Sequence, residues 1–63
     1  MIENPRIDWD DVKARLRAAA THSEIEAIHV EIDRLCYGRI DVNRLDRLVA
    51  AARDRMWKND RLH

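Results

Sequence analysis

Apolar residues recur along this chain at spacings of three and four, in three separate blocks. In the central block, residues 23–38, Ile25, Ile28, Ile32, Leu35 and Cys36 fall on an arc roughly 120° wide at about 100° per residue, the seam of a core-facing helix. In the first block Trp9, Val12, Leu16 and Ala19 share one face. In the third, Val42, Leu45, Leu48, Val49, Ala52 and Met56 do the same.

The polar residues between these blocks predict where the helices begin and stop. Asp8 is a good N-cap, and Asp10 and Asp11 in the following turn complement the helix dipole, so a first helix is expected over 9–20. Thr21 and Ser23 each precede a glutamate, Glu24 and Glu26, by three residues, which makes two overlapping capping boxes. Gly38 offers a left-handed C-terminal stop, giving a second helix over 23–37. Asp41 is expected to cap a third over 41–58. Residues 1–7 read as an extended lead-in, because Asn4-Pro5 disfavours helix at its start. The tail 59–63, polar apart from Leu62, is expected to fray. The link between the first two helices is short, as in a tight corner or an antiparallel pair, and the alanine run 18–20 would let a neighbour approach closely. The prediction is an all-α, single small three-helix domain, open to completion by dimerisation.

Length sharpens that expectation. A chain of 63 residues buries only about 60% of the surface its unfolded form exposes, and its single cysteine, Cys36, cannot form an internal disulfide. A partner or a second copy is therefore expected to add stability. One glycine and one proline among many Ala, Arg, Asp and Glu fit helices throughout. No apolar run approaches the roughly 20 residues of a membrane span. The N-terminal MIENPRID lacks a basic flank followed by an apolar stretch, so neither a signal peptide nor membrane binding is expected and the location read from sequence is cytoplasmic. Formal net charge is zero, which argues against coating nucleic acid by charge alone. The charges are segregated, however: acidic to Asp11, basic from Lys13 to Arg17, acidic along the second helix, and basic after Gly38.

Two surface patterns stand out as candidate sites. On the third helix Arg44, Arg47, Arg55 and Lys58, with Ala51 between them, form a ridge beside the apolar arc. Such a ridge can hold phosphates or an acidic protein face, or serve as a solvated helix face partly neutralised by Asp41 and Asp54. On the second helix Glu26, Val30, Asp33 and Tyr37 form a mixed stripe away from the core seam, framed like a docking surface for another protein. Trp57 falls outside the main arc of the third helix, beside Ala50 and Arg53, either covering a core edge or belonging to an interface.

Glu26 and His29 have the Glu-x-x-His spacing of di-iron bundles, and His29, Asp33 and Cys36 recur at helical spacing. Both sets are short of ligands, so no metal or other cofactor is expected, and Cys36 reads as a small core residue. Glycine-rich phosphate loops, nucleophile elbows and paired catalytic carboxylates are missing. A domain this small is expected to lack room for a pocket of roughly 300 Å³ or more. The reading is therefore not an enzyme, with no small-molecule substrate.

Asp11, Arg15-Leu16-Arg17, Thr21 and Ile25-Glu26 spell D-x-x-x-R-L-R-x-x-x-T-x-x-x-I-E, and Leu45, Ala51-Ala52 and Arg55 spell L-x-x-x-x-x-A-A-x-x-R. In this order, with Tyr37 ahead of a polar turn, the two blocks resemble the Hha/YmoA family of small bacterial nucleoid modulators. The resemblance implies a three- or four-helix protein that binds the dimerisation region of a nucleoid-structuring protein and helps silence genes. Glu26 matches the family's partner-facing glutamate, and Arg15 and Arg17 match its basic pair. This chain departs from the pattern in needing about one extra helical turn between the blocks. It also has Arg53 where an acid is expected, Ala19 where a cysteine is usual, and no aromatic-rich C-terminal segment.

The leading expectation is a small regulator acting by protein–protein binding, its partner a nucleoid-structuring protein or a second copy of itself. A direct nucleic-acid binder is the first alternative, because the second helix, Gly38 and the third helix resemble a helix-turn-helix pair with Arg44 and Arg47 near the start of the recognition helix. Against it, Asp41 and Asp46 lie in the same region, so contact with nucleic acid is expected to be weak or indirect. The second alternative is a homodimeric bundle that scaffolds a phage, plasmid or toxin–antitoxin assembly.

Overall fold

The computed structural model describes the backbone of residues 5–62 and the side chains of residues 5–58. Among the described residues the chain forms α1 (Trp9–Ala18), α2 (His22–Asp33) and α3 (Arg39–Leu62), with no strand. The all-α three-helix reading holds, and the boundaries move for identifiable reasons.

Helix α1 starts as expected: the Asp8 carboxylate accepts from the backbone N–H groups of Asp10 and Asp11 at 3.1 and 3.2 Å. Ile7, placed by the sequence in an extended lead-in, is buried with Val12 in the core. The two residues occupy the N′ and N4 positions of a hydrophobic staple, which fixes the angle at which the chain enters the helix. Of that lead-in, Pro5 and Arg6 form a turn, and residues 1–4 lie outside the described residues. Helix α1 ends two residues early, at Ala18, because Ala19 turns to an extended conformation (φ −62°, ψ 128°).

Helix α2 uses one of its two capping boxes. Thr21 accepts from the Glu24 N–H at 3.2 Å, and the Glu24 carboxylate reaches back to the N–H of Ala20. Ser23 and Glu26 lie inside the helix. The helix stops at Asp33, four residues before the expected end, and Gly38 is not its C-cap. Leu35 and Cys36 continue as a tight turn, their N–H groups donating to the carbonyls of Ile32 and Asp33 at 2.9 and 3.2 Å.

Gly38 instead opens α3. Its φ of +148° is a conformation that side-chain-bearing residues rarely adopt, and its carbonyl accepts the N–H of Val42. Asp41, expected as the N-cap, sits within the first turn. It is 5% exposed and accepts the Tyr37 N–H at 3.2 Å, tying the connection 34–38 to the helix it precedes. At its other end α3 stays helical through Leu62, beyond the expected end at Lys58. His63 and the side chains after Lys58 lie outside the described residues.

At about 1.5 Å per residue, the 24 residues of α3 span about 36 Å, against an overall length of 42 Å. This helix packs on both α1 and α2, which also pack on each other. The core is Trp9, Val12 and Leu16 from α1, Ile25, Ile28 and Ile32 from α2, and Leu45, Val49 and Ala52 from α3, sealed by Ile7. Ala19, Leu35, Cys36, Leu48 and Met56 cover its edges.

Leu45 and Ile25 are both fully buried, so shortening either leaves a cavity in the core. Leu45→Ala is expected to cost about 2–5 kcal/mol, comparable to the whole stability of so small a domain. Urea denaturation followed by circular dichroism checks this: the variant should be largely unfolded or should have lost most of its midpoint concentration.

Candidate interaction surface

Each helix presents a flank outside the core, and the flanks differ in charge. Helix α2 carries Glu24, Glu26, Glu31 and Asp33 and no Lys or Arg. Glu31 pairs with Arg15 of α1, and Glu24 is used in capping. His29 lies 3.5 Å from Asp46, linking α2 to α3. Glu26 and Asp33 are exposed.

The expected stripe on α2 is shorter than the sequence implied. Glu26, Val30 and Asp33 run along its outer side, with Val30 47% exposed. Tyr37 lies beyond the helix end, in the connection to α3, so it does not continue the stripe. It is 65% exposed, with the Arg6 guanidinium 5.5 Å from its ring centre. Trp57 is also exposed, on the far part of α3.

The basic ridge is present, but its members are not equivalent. Arg44 lies over the ring of Trp9 at 4.9 Å, a cation–π contact worth about 0.5–2 kcal/mol. Trp9 needs that cover: it is buried, and its indole Nε1 has no hydrogen-bond partner among the described residues, which costs about 1–3 kcal/mol. Arg55 donates to the carbonyl oxygen of Leu16 at 3.4 Å, near the C-terminal end of α1, where a cation also favours the helix dipole. Lys58 pairs with Asp54 at 3.1 Å. Asp41, read from sequence as neutralising the ridge, is buried instead in the turn at Tyr37. Arg47 is exposed, with no ion pair among the described residues.

What the sequence did not reveal is that α1 supplies the other side of this ridge. Lys13 and Arg17 stand four residues apart on the flank of α1 that faces α3. Two clefts sharing Lys13 and Leu48 run between the helices. One, of about 380 Å³, lies over Leu16, Ala51 and Ala52 beside Arg17 and Arg55. The other, of about 530 Å³, continues past Arg44 and Arg47 to Ile40. The expectation that the domain lacks room for clefts above 300 Å³ is thereby corrected. They are surface grooves between ridges, with a floor of Leu and Ala, cations along both sides, and no carboxylate in the lining. By contrast, the cleft between α1 and α2 sets Arg15 against Glu24. The i, i+4 spacing of Lys13 and Arg17 is visible in the sequence; the pairing of α1 with α3 across a groove is not.

Cys36 lies half-buried at the core edge, where its thiol donates to the Ile32 carbonyl at 3.4 Å. Burial raises its pKa, and the nearby Asp41, Asp33 and Asp46 carboxylates push in the same direction, which disfavours the reactive thiolate. Among the described residues no group of three His, Cys, Asp or Glu side chains is placed to hold a metal ion, and no helix is long and apolar enough to cross a membrane. Comparison with protein-family models, with curated proteins and with solved structures finds no match to this chain.

The Arg44–Trp9 contact can be read directly by fluorescence. In a Trp57→Phe background, where Trp9 is the remaining indole, Arg44→Ala is expected to red-shift emission and raise acrylamide quenching with helicity retained. Unchanged quenching would show that Arg44 does not cover the ring.

Proposed function

We propose that this chain is a small non-enzymatic regulator that works in the cytoplasm by protein–protein binding, and that the α1/α3 groove receives an acidic helix of its partner. The observation that carries this reading is the groove itself, with Lys13, Arg17 and Arg47 beside a floor of Leu48 and Ala51. An apolar floor between cationic sides suits a helix with one apolar stripe flanked by carboxylates, the helix-in-groove mode of recognition. A nucleic-acid backbone needs the cations and gains little from the floor.

The resemblance to nucleoid modulators gives the reading its most specific form. The partner would then be a nucleoid-structuring protein, and the regulator's effect on transcription would pass through that protein. Direct DNA binding is the second reading, favoured by the same cations. It is weakened by the tie between Arg44 and Trp9, by Asp46 exposed on the same helix, and by a connection of residues 34–38, longer than the roughly 3–4-residue turn of a helix-turn-helix.

Fluorescence anisotropy with two labelled probes separates these readings: a stapled helical peptide with Leu at i, i+3 and i+7 flanked by Glu, and a mixed-sequence DNA duplex. The peptide should bind, and Arg17→Glu with Arg47→Glu should weaken it by about tenfold or more, since each exposed pair contributes up to about 1 kcal/mol. Binding of the duplex alone, lost steeply with added salt, would replace this function with the nucleic-acid reading.

A further inference from the structure

The chain carries on its own surface an acidic helix face, that of α2, with Val30 exposed at its centre. We infer that the occupant of the α1/α3 groove is α2 of a second copy, so that the protein assembles head to tail. The inference rests on the groove being a docking site for an acidic helix and adds the identity of that helix.

Three observations fit α2 to the groove. The first is charge: α2 has four carboxylates and no Lys or Arg, whereas the groove lining has only cations among its charged residues. Glu31 and Glu24 are used within the chain. Glu26 and Asp33 remain exposed, with no ion pair among the described residues, as do Arg17 and Arg47 in the groove.

The second is shape. Val30 stands 47% exposed between Glu26 and Asp33, one apolar side chain flanked by carboxylates one turn away on either side. The groove lining includes Leu48 and the small side chain of Ala51, apolar surface for Val30 to pack against. The third is length. The 12 residues of α2 span about 18 Å. The groove, from Ile40 to Arg55 along α3, runs about 22 Å.

The groove and the acidic face of α2 are different surfaces, so the contact is heterologous. In a pair, one copy keeps a free groove and the other a free acidic face, and the assembly grows into a chain or closes into a ring. Because its charges are exposed, the contact is expected to weaken with salt. It also gives zero net charge a consequence: copies do not repel one another as wholes, while their faces attract.

The test is sedimentation velocity on the full chain without nucleic acid, at low and moderate salt. Wild type should show a weight-average mass that rises with concentration to at least twice that of one chain and falls as salt is added. Two variants remove one surface each: Arg17→Glu with Arg47→Glu disables the groove, and Glu26→Lys with Asp33→Lys disables the acidic face of α2. All four positions are exposed, and circular dichroism should show unchanged helicity. Each variant alone should be monomeric, and an equal mixture should associate, the intact acidic face of one seated in the intact groove of the other. A mixture that stays monomeric, or a variant that self-associates like wild type, overturns the inference. Wild type that stays monomeric yet binds the acidic peptide also overturns it while leaving the proposed function in place. Failure to bind the peptide together with monomeric behaviour removes both.

Discussion

The rest of the structure depends on burial of the apolar arc of α3 by two helices too short to be stable alone. Isolated helices of ten and twelve residues, the lengths of α1 and α2, are marginal in water. Each is held by packing on Leu45, Val49 and Ala52, and by the caps at Asp8 and Thr21 that satisfy its first N–H groups. Two contacts then fix how α1 lies on the long one. Arg44 over Trp9 pins the start of α1, and Arg55 at the Leu16 carbonyl pins its end. These two arginines bridge the flanks of α1 and α3, so the contacts that hold α1 in place also shape the groove beside it.

That double use divides the cations into two kinds. Arg44 and Arg55 are engaged within the chain, and replacing them would disturb packing before it disturbed any partner. Lys13, Arg17 and Arg47 border the same groove, and Arg17 and Arg47 are exposed. On the other side of the molecule α2 gathers carboxylates without a compensating cation of its own. A zero formal charge thus coexists with an acidic helix and a cationic groove, and electrostatics here favours specific orientations more than overall attraction.

Much of this was legible from residue spacing. The arcs of Ile25, Ile28 and Ile32 and of Leu45, Val49 and Ala52 are the core, because a 3.6-residue period leaves little choice of buried face. The ends of helices were less legible, since they depend on which of several polar residues finds a backbone partner. Asp41 and Gly38 both carried cap signals, and the chain uses Gly38 to open α3 and Asp41 to brace the preceding turn. Leu35 and Cys36 kept the helical period of α2 while the backbone had already left the helix, so Tyr37 was assigned to a stripe it does not share. Ile7 lies two residues after Pro5, in a stretch that reads as extended; its cue is its place before the Asp8 cap. The groove was illegible for another reason. Lys13 and Arg17 are about thirty residues from Arg47 in sequence, and periodicity within one helix does not say which flanks of two helices meet.

Amide chemical-shift mapping of the wild-type chain across a dilution series tests the central claim most directly, because it reports where the molecule is touched without altering it. The account predicts concentration-dependent shifts in two clusters: Lys13, Arg17, Leu48 and Ala51 along the groove, and Glu26, Val30 and Asp33 along the outside of α2. Shifts confined to the connection around Tyr37 or to the far part of α3 at Trp57, with the groove unperturbed, would contradict it.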